Sequence, residues 1–97
     1  MKVAYSERAG QDLAEIVDLL VARNRHAALV VAATIRKRIA LLRRYPFSGR
    51  AQDIDGVRKA VTLPFGHLIY HHVDEAAQTA TILSIHHPAR DRPFTDA

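Results

Sequence analysis

The chain has 97 residues, 48% of them apolar and 25% charged, with a net charge of +4, which is the profile of a single soluble globular domain. A domain of this size buries roughly 60% of the surface its unfolded chain exposes, so its core is marginal. The lack of cysteine excludes disulfides, thiolate metal sites and thiol nucleophiles. No apolar run reaches the roughly 18 residues of a membrane span. Met1-Lys2 leads into a strand and a charged helix rather than a signal peptide, so a cytoplasmic protein without membrane contact is expected.

Charge is distributed unevenly. No acidic residue occurs between Asp18 and Asp53, a stretch that holds Arg23, Arg25, Arg36, Lys37, Arg38, Arg43, Arg44 and Arg50. A one-signed block of this kind suits an acidic partner, either nucleic acid or an acidic protein segment, and equally suits a solvated helix face.

In chain order, Lys2–Tyr5 reads as a short strand. Ser6 is a helix N-cap, with Glu7 placed in the first turn where the helix dipole favours negative charge. Ala9, Leu13, Ile16 and Leu20, with Val17 beside them, then recur at helical spacing to about Arg23. Asn24 reads as a left-handed stop. A second helix is predicted from about His26 to Arg44, with Ala28, Val31 or Ala32, Ile35, Ile39 and Leu42 on its inner stripe. Two helices joined by so few residues pack antiparallel, and Pro46 ends the second.

Ala51–Gly56 reads as a polar loop. Over 57–63 the sequence alternates, with Val57, Lys59, Val61 and Leu63 on one face and Arg58, Ala60 and Thr62 on the other. Pro64-Phe65-Gly66 signals a turn, and 67–74 and 79–86 supply two further strands. The expected architecture is α+β: a two-helix hairpin packed on a small antiparallel sheet of three to four strands, the first strand joining at an edge. No internal repeat or linker divides the chain.

Six histidines raise the question of a metal. His71-His72 and His86-His87 are adjacent pairs, so each sends one ring to either face of its strand. No spacing matches a zinc signature and no third ligand is evident, so no metal or other cofactor is expected. Ser48 and Ser84 lack a glycine elbow, which argues against a serine triad. Acid–base cleavage of RNA stays open, because it needs only a base, an acid and cations about the phosphate. Arg58, His67, Tyr70, His86 and Arg90 can supply these groups if they converge, and histidine suits both proton roles near neutral pH.

Several elements in a fixed order resemble the RelE/ParE superfamily of toxins from type II toxin–antitoxin, or plasmid-stabilisation-like, systems. They are Tyr5-Ser6 followed by Ala9 and Asp12-Leu13-x-x-Ile16, the break Tyr45-Pro46-x-x-Gly49-Arg50, Val57-Arg58 opening a strand, Leu68-Ile69-Tyr70-His71-His72-Val73, and the closing Ile85-His86-x-x-x-Arg90-Asp91. The resemblance implies a helical hairpin on a small sheet, neutralised by a cognate antitoxin that folds around the toxin in a hetero-oligomer.

Two branches of that superfamily differ in target. RelE-like toxins cut mRNA on the ribosome, and ParE-like toxins inhibit DNA gyrase. The cutters use two alternating lysines on the second sheet strand, an arginine after the next turn, and C-terminal Arg and Tyr. By this resemblance Arg58 takes the first lysine position and Ala60 falls near the second. His67 stands at the arginine, no tyrosine follows Arg90, and His86 matches the C-terminal histidine of other nuclease members. The depleted cation set and long hairpin favour the gyrase branch, with His86 and Arg90 at the target surface. The alternative is an mRNA endoribonuclease built on Arg58, His67, Tyr70, His86 and Arg90. In either case Arg36, Lys37, Arg43 and Arg44 are expected to meet the acid-rich antitoxin segment. A small basic nucleic-acid-binding module is the weaker possibility from another class, since few aromatics lie along the basic face.

Overall fold

Strand β1 (Lys2–Tyr5) hands over directly to helix α1 (Glu7–Val21), and Ser6 makes the junction, as the sequence predicts. Its backbone is extended and its Oγ accepts the Ala9 N–H at 3.0 Å, satisfying one of the donors that every helix start leaves unpaired. The structure is a computed structural model and describes residues 1–90, the side chain of Arg90 excepted.

Helix α2 (Arg25–Ala40) follows after the three residues Ala22, Arg23 and Asn24. Asn24 is not the left-handed stop that the sequence suggests. Its φ of −160° is extended, and its side chain accepts the Ala27 N–H, so it caps the second helix instead of ending the first. The second helix is also shorter than predicted. It tightens at Leu41–Arg43 into a single 3-10 turn, which brings the chain round to Pro46.

Behind the hairpin lies a mixed five-stranded sheet in the order β1-β5-β4-β3-β2, comprising β2 (Arg50–Ala51), β3 (Val57–Val61), β4 (Leu68–Asp74) and β5 (Thr79–His86). The α+β architecture is the expected one, with two differences. Strand β1 joins the edge in parallel with β5, Lys2 opposite Thr79 and Tyr5 opposite Ile82. The two-residue β2, where a loop was expected, pairs with β3. Gly49 makes that pairing possible. Its φ is +91°, and a Cβ there would sit 2.6 Å from the Lys59 carbonyl oxygen, so any larger residue would push the loop off the strand.

The core lies between the sheet and the hairpin. Ala9, Leu13, Val31, Ile35, Ile39 and Leu42 from the helices meet Ala60, Ile69, Ile82 and Ile85 from the sheet, with Ile16, Val17 and Leu20 packed beside them. Ile82 and Ile85 are three residues apart, and strict alternation would send them to opposite faces. A bulge in β5 prevents this. Tyr70 faces Ser84 and His71 faces Ile82, which leaves Leu83 as the extra residue. The side chains of α1 take up the backbone groups this irregular stretch exposes: Ser6 Oγ donates to the Leu83 carbonyl at 2.9 Å, and Asp12 Oδ2 accepts the Ile85 N–H at 2.9 Å.

A smaller apolar cluster forms on the outer face of the sheet. Val57, Leu68 and Tyr70 are buried there, with Ile54 and Leu83 against them. Both faces of β3 therefore carry buried residues. The alternation read from the sequence is correct, and the half of it with Ala60 and Thr62 is the half that faces the helices.

Candidate functional site

The outer face carries one constellation of polar groups. Pairing places Lys59 opposite Tyr70, Tyr70 opposite Ser84, and Leu68 opposite His86, so Lys59, Tyr70, Ser84 and His86 share this face. The His86 and Tyr70 rings meet edge to face with centroids 5.4 Å apart. His86 Nε2 lies 3.0 Å from Ser84 Oγ. Tyr70 and Ser84 are fully buried, while His86 is half-buried. The arrangement holds a phenol, a hydroxyl, an imidazole and an amine on one wall of the sheet. Lys59 was not singled out as a site residue by the sequence, because only the pairing shows that it stands beside Tyr70.

Arg58 is not part of this group. It faces His71 across the β3–β4 pair, one residue out of phase with Lys59 and Tyr70, and therefore lies on the helix side. There it joins Arg38 of α2 beneath the loop 45–49. Arg58 Nη2 donates to the Gly49 carbonyl at 3.0 Å and His71 Nε2 donates to the Pro46 carbonyl at 3.0 Å. Arg38 Nη2 donates to Ser48 Oγ at 3.1 Å, and that hydroxyl donates to the Tyr45 carbonyl at 2.7 Å. His71 is completely buried. Burial holds its pKa below the ordinary histidine value; the Pro46 hydrogen bond opposes the shift, while the Arg38 and Arg58 charges add to it. Burial likewise lowers the pKa of Arg38.

His67 occupies a third place. It sits just ahead of β4 rather than in it, where its backbone exchanges hydrogen bonds with Thr62. Its ring meets that of His87 edge-on at 6.0 Å. Burial, and then the neighbouring His87, hold the pKa of His67 below the ordinary value. These two rings, His86, Phe65 and Ile85 form one wall of a groove of about 620 Å³. The other wall is α1 and the start of α2, with Ile16, Leu19, Leu20 and Val31 as its apolar floor and Arg8, Asp12, Glu15 and Arg23 about it.

The five residues weighed as a nuclease centre thus fall into separate places. Tyr70 and His86 are together, His67 shares only the groove wall with His86, and Arg58 is on the other face. Arg90 closes a last 3-10 turn, but its side chain, and Asp91 and Arg92 after it, lie outside the described residues. Among the described residues no three His, Cys, Asp or Glu side chains gather where they could hold a metal ion, and no helix is long and apolar enough to cross a membrane. Arg36 and Lys37 on α2, and Arg43 and Arg44 after it, are all exposed.

The fold has solved counterparts. A chromosomal ParDE toxin–antitoxin system from P. aeruginosa contains a chain that superposes with a TM-score of 0.78 at 22% identity, covering 90% of this chain and 95% of that one. A chain of the intact E. coli RelBE toxin–antitoxin complex superposes with a TM-score of 0.67 at 12% identity, covering 87% and 92%. Identities this low speak for the shared fold alone. No curated protein matches the sequence significantly. The family model described as ParE toxin of type II toxin-antitoxin system, parDE, matches residues 3–92, nearly the whole length. The chain therefore belongs to the ParE toxin family.

Proposed function

We propose that this ParE-family chain arrests growth by binding and trapping DNA gyrase rather than by cutting RNA, and that a cognate antitoxin holds it in check. The observation that carries the proposal is the separation of Arg58 from Tyr70 and His86 by the thickness of the sheet. Phosphodiester cleavage needs its cations and proton donors converged on one phosphate, and a single misplaced donor costs on the order of 100-fold in rate. A gyrase inhibitor carries no such demand. In this reading His86 and Arg90, at the end of β5 and just beyond it, contact the target.

The antitoxin's acid-rich segment lies along the hairpin, its charge meeting the exposed Arg36, Lys37, Arg43 and Arg44. Its apolar side fills the groove between α1 and the end of the sheet, where Leu19 is 72% exposed and awaits a cover. An amphipathic segment laid in an apolar groove is a common mode of peptide capture.

One observation favours mRNA cleavage as a second reading. Lys59, Tyr70, Ser84 and His86 do share a face, and they supply a cation and proton-transfer groups without Arg58. One preparation of the chain tests both readings, through gyrase supercoiling and through cleavage of mRNA on ribosomes. The proposal expects supercoiling to be blocked and the block to weaken in His86→Ala and Arg90→Ala. Codon-dependent cleavage that vanishes in those variants, with supercoiling untouched by the parent protein, assigns the chain to the nuclease branch.

A further inference from the structure

The cluster beneath the loop 45–49 has no part in either reading above. Arg38 comes from α2, Arg58 from β3 and His71 from β4, and each spends one nitrogen on the loop, at Ser48 Oγ, the Gly49 carbonyl and the Pro46 carbonyl. Each also keeps a second nitrogen that is shut away from solvent and has no hydrogen-bond partner: Arg38 Nη1, Arg58 Nε and His71 Nδ1. Buried polar atoms are nearly always paired, so three orphans in one cluster call for an occupant. Among the described residues no acid answers them. The ion pair found among the described residues is Arg8 with Asp12, on α1. Asp53 and Asp55 share a neighbouring cavity wall with Arg58 but are exposed and unpaired with it.

The orphans also have a definite polarity. A carbonyl oxygen only accepts, so the proton of neutral His71 must be on Nε2, and Nδ1 is left as an acceptor. Arg38 Nη1 and Arg58 Nε are donors. A fitting ligand must therefore accept twice and donate once. A carboxylate or a phosphodiester offers acceptors only. A phosphate monoester near its second pKa, about 6, carries both acceptor oxygens and a P–OH. Arginine is the side chain best matched to phosphate oxygens.

We propose that Arg38, Arg58 and His71 form a receptor for a phosphate group that keeps a P–OH, either inorganic phosphate or a monoester. The two guanidinium groups donate to its oxygens, and its P–OH donates to His71 Nδ1. Burial, with the charges of Arg38 and Arg58 adding to it, lowers the pKa of His71, which favours Nδ1 as an acceptor for a protonated oxyanion.

The test is a titration of the full ¹⁵N-labelled chain with inorganic phosphate, sulfate and acetate, following the His71 ring nitrogens and the amides of residues 45–50. Phosphate should give saturable shifts. Sulfate, which has no proton to donate, should bind roughly tenfold more weakly or worse, the worth of one charge-assisted hydrogen bond. Arg38→Gln or Arg58→Gln should weaken phosphate by a similar factor, and Arg25→Gln, an exposed cation at the start of α2, should leave it unchanged. A 5′-phosphorylated oligonucleotide that binds better than its unphosphorylated twin identifies a nucleic-acid end as the source; response to inorganic phosphate alone identifies the free ion. Sulfate equal to phosphate overturns the proposal, as does acetate matching it, which would mean a carboxylate receptor. Absence of saturation at millimolar phosphate also overturns it, and means that a resident water fills the cluster. The anion comparison on the parent chain keeps the test decisive should an arginine variant fail to fold.

Discussion

Tyr70 and His71 are consecutive residues of β4 and both are buried, yet their surroundings have little in common. Tyr70 shares the outer face with Lys59, Ser84 and His86, where an edge-on ring contact and a side-chain hydrogen bond hold the group together. His71 points to the helix side, where it and two arginines are tied to backbone carbonyls and a hydroxyl of one loop. The helix-side cluster is bound into the main chain, so losing a member disturbs the path of the backbone. The outer group is joined through side-chain contacts, and its half-exposed histidine can trade a neighbour for a target. The lesson is that the polar residues of this sheet divide by face: the inner set anchors a loop around the proposed anion receptor, and the outer set presents a half-exposed histidine.

The sharpest way to break that comparison is to damage the helix side directly. Leu42→Ala removes a fully buried side chain at the centre of the core and should cost about 2–5 kcal/mol in urea denaturation. His86→Ala on the outer face should cost under about 1 kcal/mol, as expected of a half-exposed residue. Equal losses would show that the outer face is as structural as the inner one.

Asp12 comes next. Its Oδ2 accepts the Ile85 N–H beside the bulge, and Asp12→Ala leaves that buried donor unmet, an expected cost of about 1–3 kcal/mol. Asp12→Asn, which retains an acceptor, should recover most of the loss.

A smaller effect follows pH. His71 and His67 both have folded-state pKa values below the unfolded value of 6.5. The unfolded chain therefore binds more protons as the medium is acidified. The stability these neutral rings contribute is fully present above the unfolded pKa and is lost as pH falls below it toward the folded values. Denaturation midpoints should decline from about pH 7 to pH 5, and the decline should be shallower in His71→Gln. An unchanged slope in that variant would remove His71 from the account.

The smallest effect on the fold, though not on binding, is expected at the surface. Changing Arg36, Lys37, Arg43 and Arg44 together to Glu should alter stability by no more than about 0.5 kcal/mol per site, because all four are exposed. Association with the antitoxin should slow by tenfold or more, measured by stopped-flow mixing at low salt. An unchanged association rate would place the antitoxin elsewhere.

The two-helix half of the molecule was legible because its constraint is periodic. Ala28, Val31, Ala32, Ile35, Ile39 and Leu42 are all buried, as a 3.6-residue repeat requires, and the Ser6 cap follows from local chemistry. Strand β2 was not legible, because two residues carry no period and their pairing depends on how closely Gly49 approaches β3. The face of Arg58 was hidden for a different reason. Over 57–62 both halves of the alternation mix apolar and polar residues, so the pattern shows that there are two sides without showing which one meets the helices. The grouping of Arg58 with Tyr70 and His86 failed at that point. His71 gave no sign of its role, since its partners Arg38, Pro46 and Arg58 are brought to it only by the fold.

The handover at Ser6 has a consequence for strand addition. Strand β1 stops opposite Ile82, and the β5 edge past that point would present bare ladder groups, a template on which another chain could build. Helix α1 closes it instead, through Ser6 at the Leu83 carbonyl and Asp12 at the Ile85 N–H. Among the described residues, the sheet edges that remain are a four-residue β1 and a two-residue β2. Edges this short give an incoming strand few hydrogen bonds, so resistance to edge-to-edge aggregation is built in at both ends of the sheet.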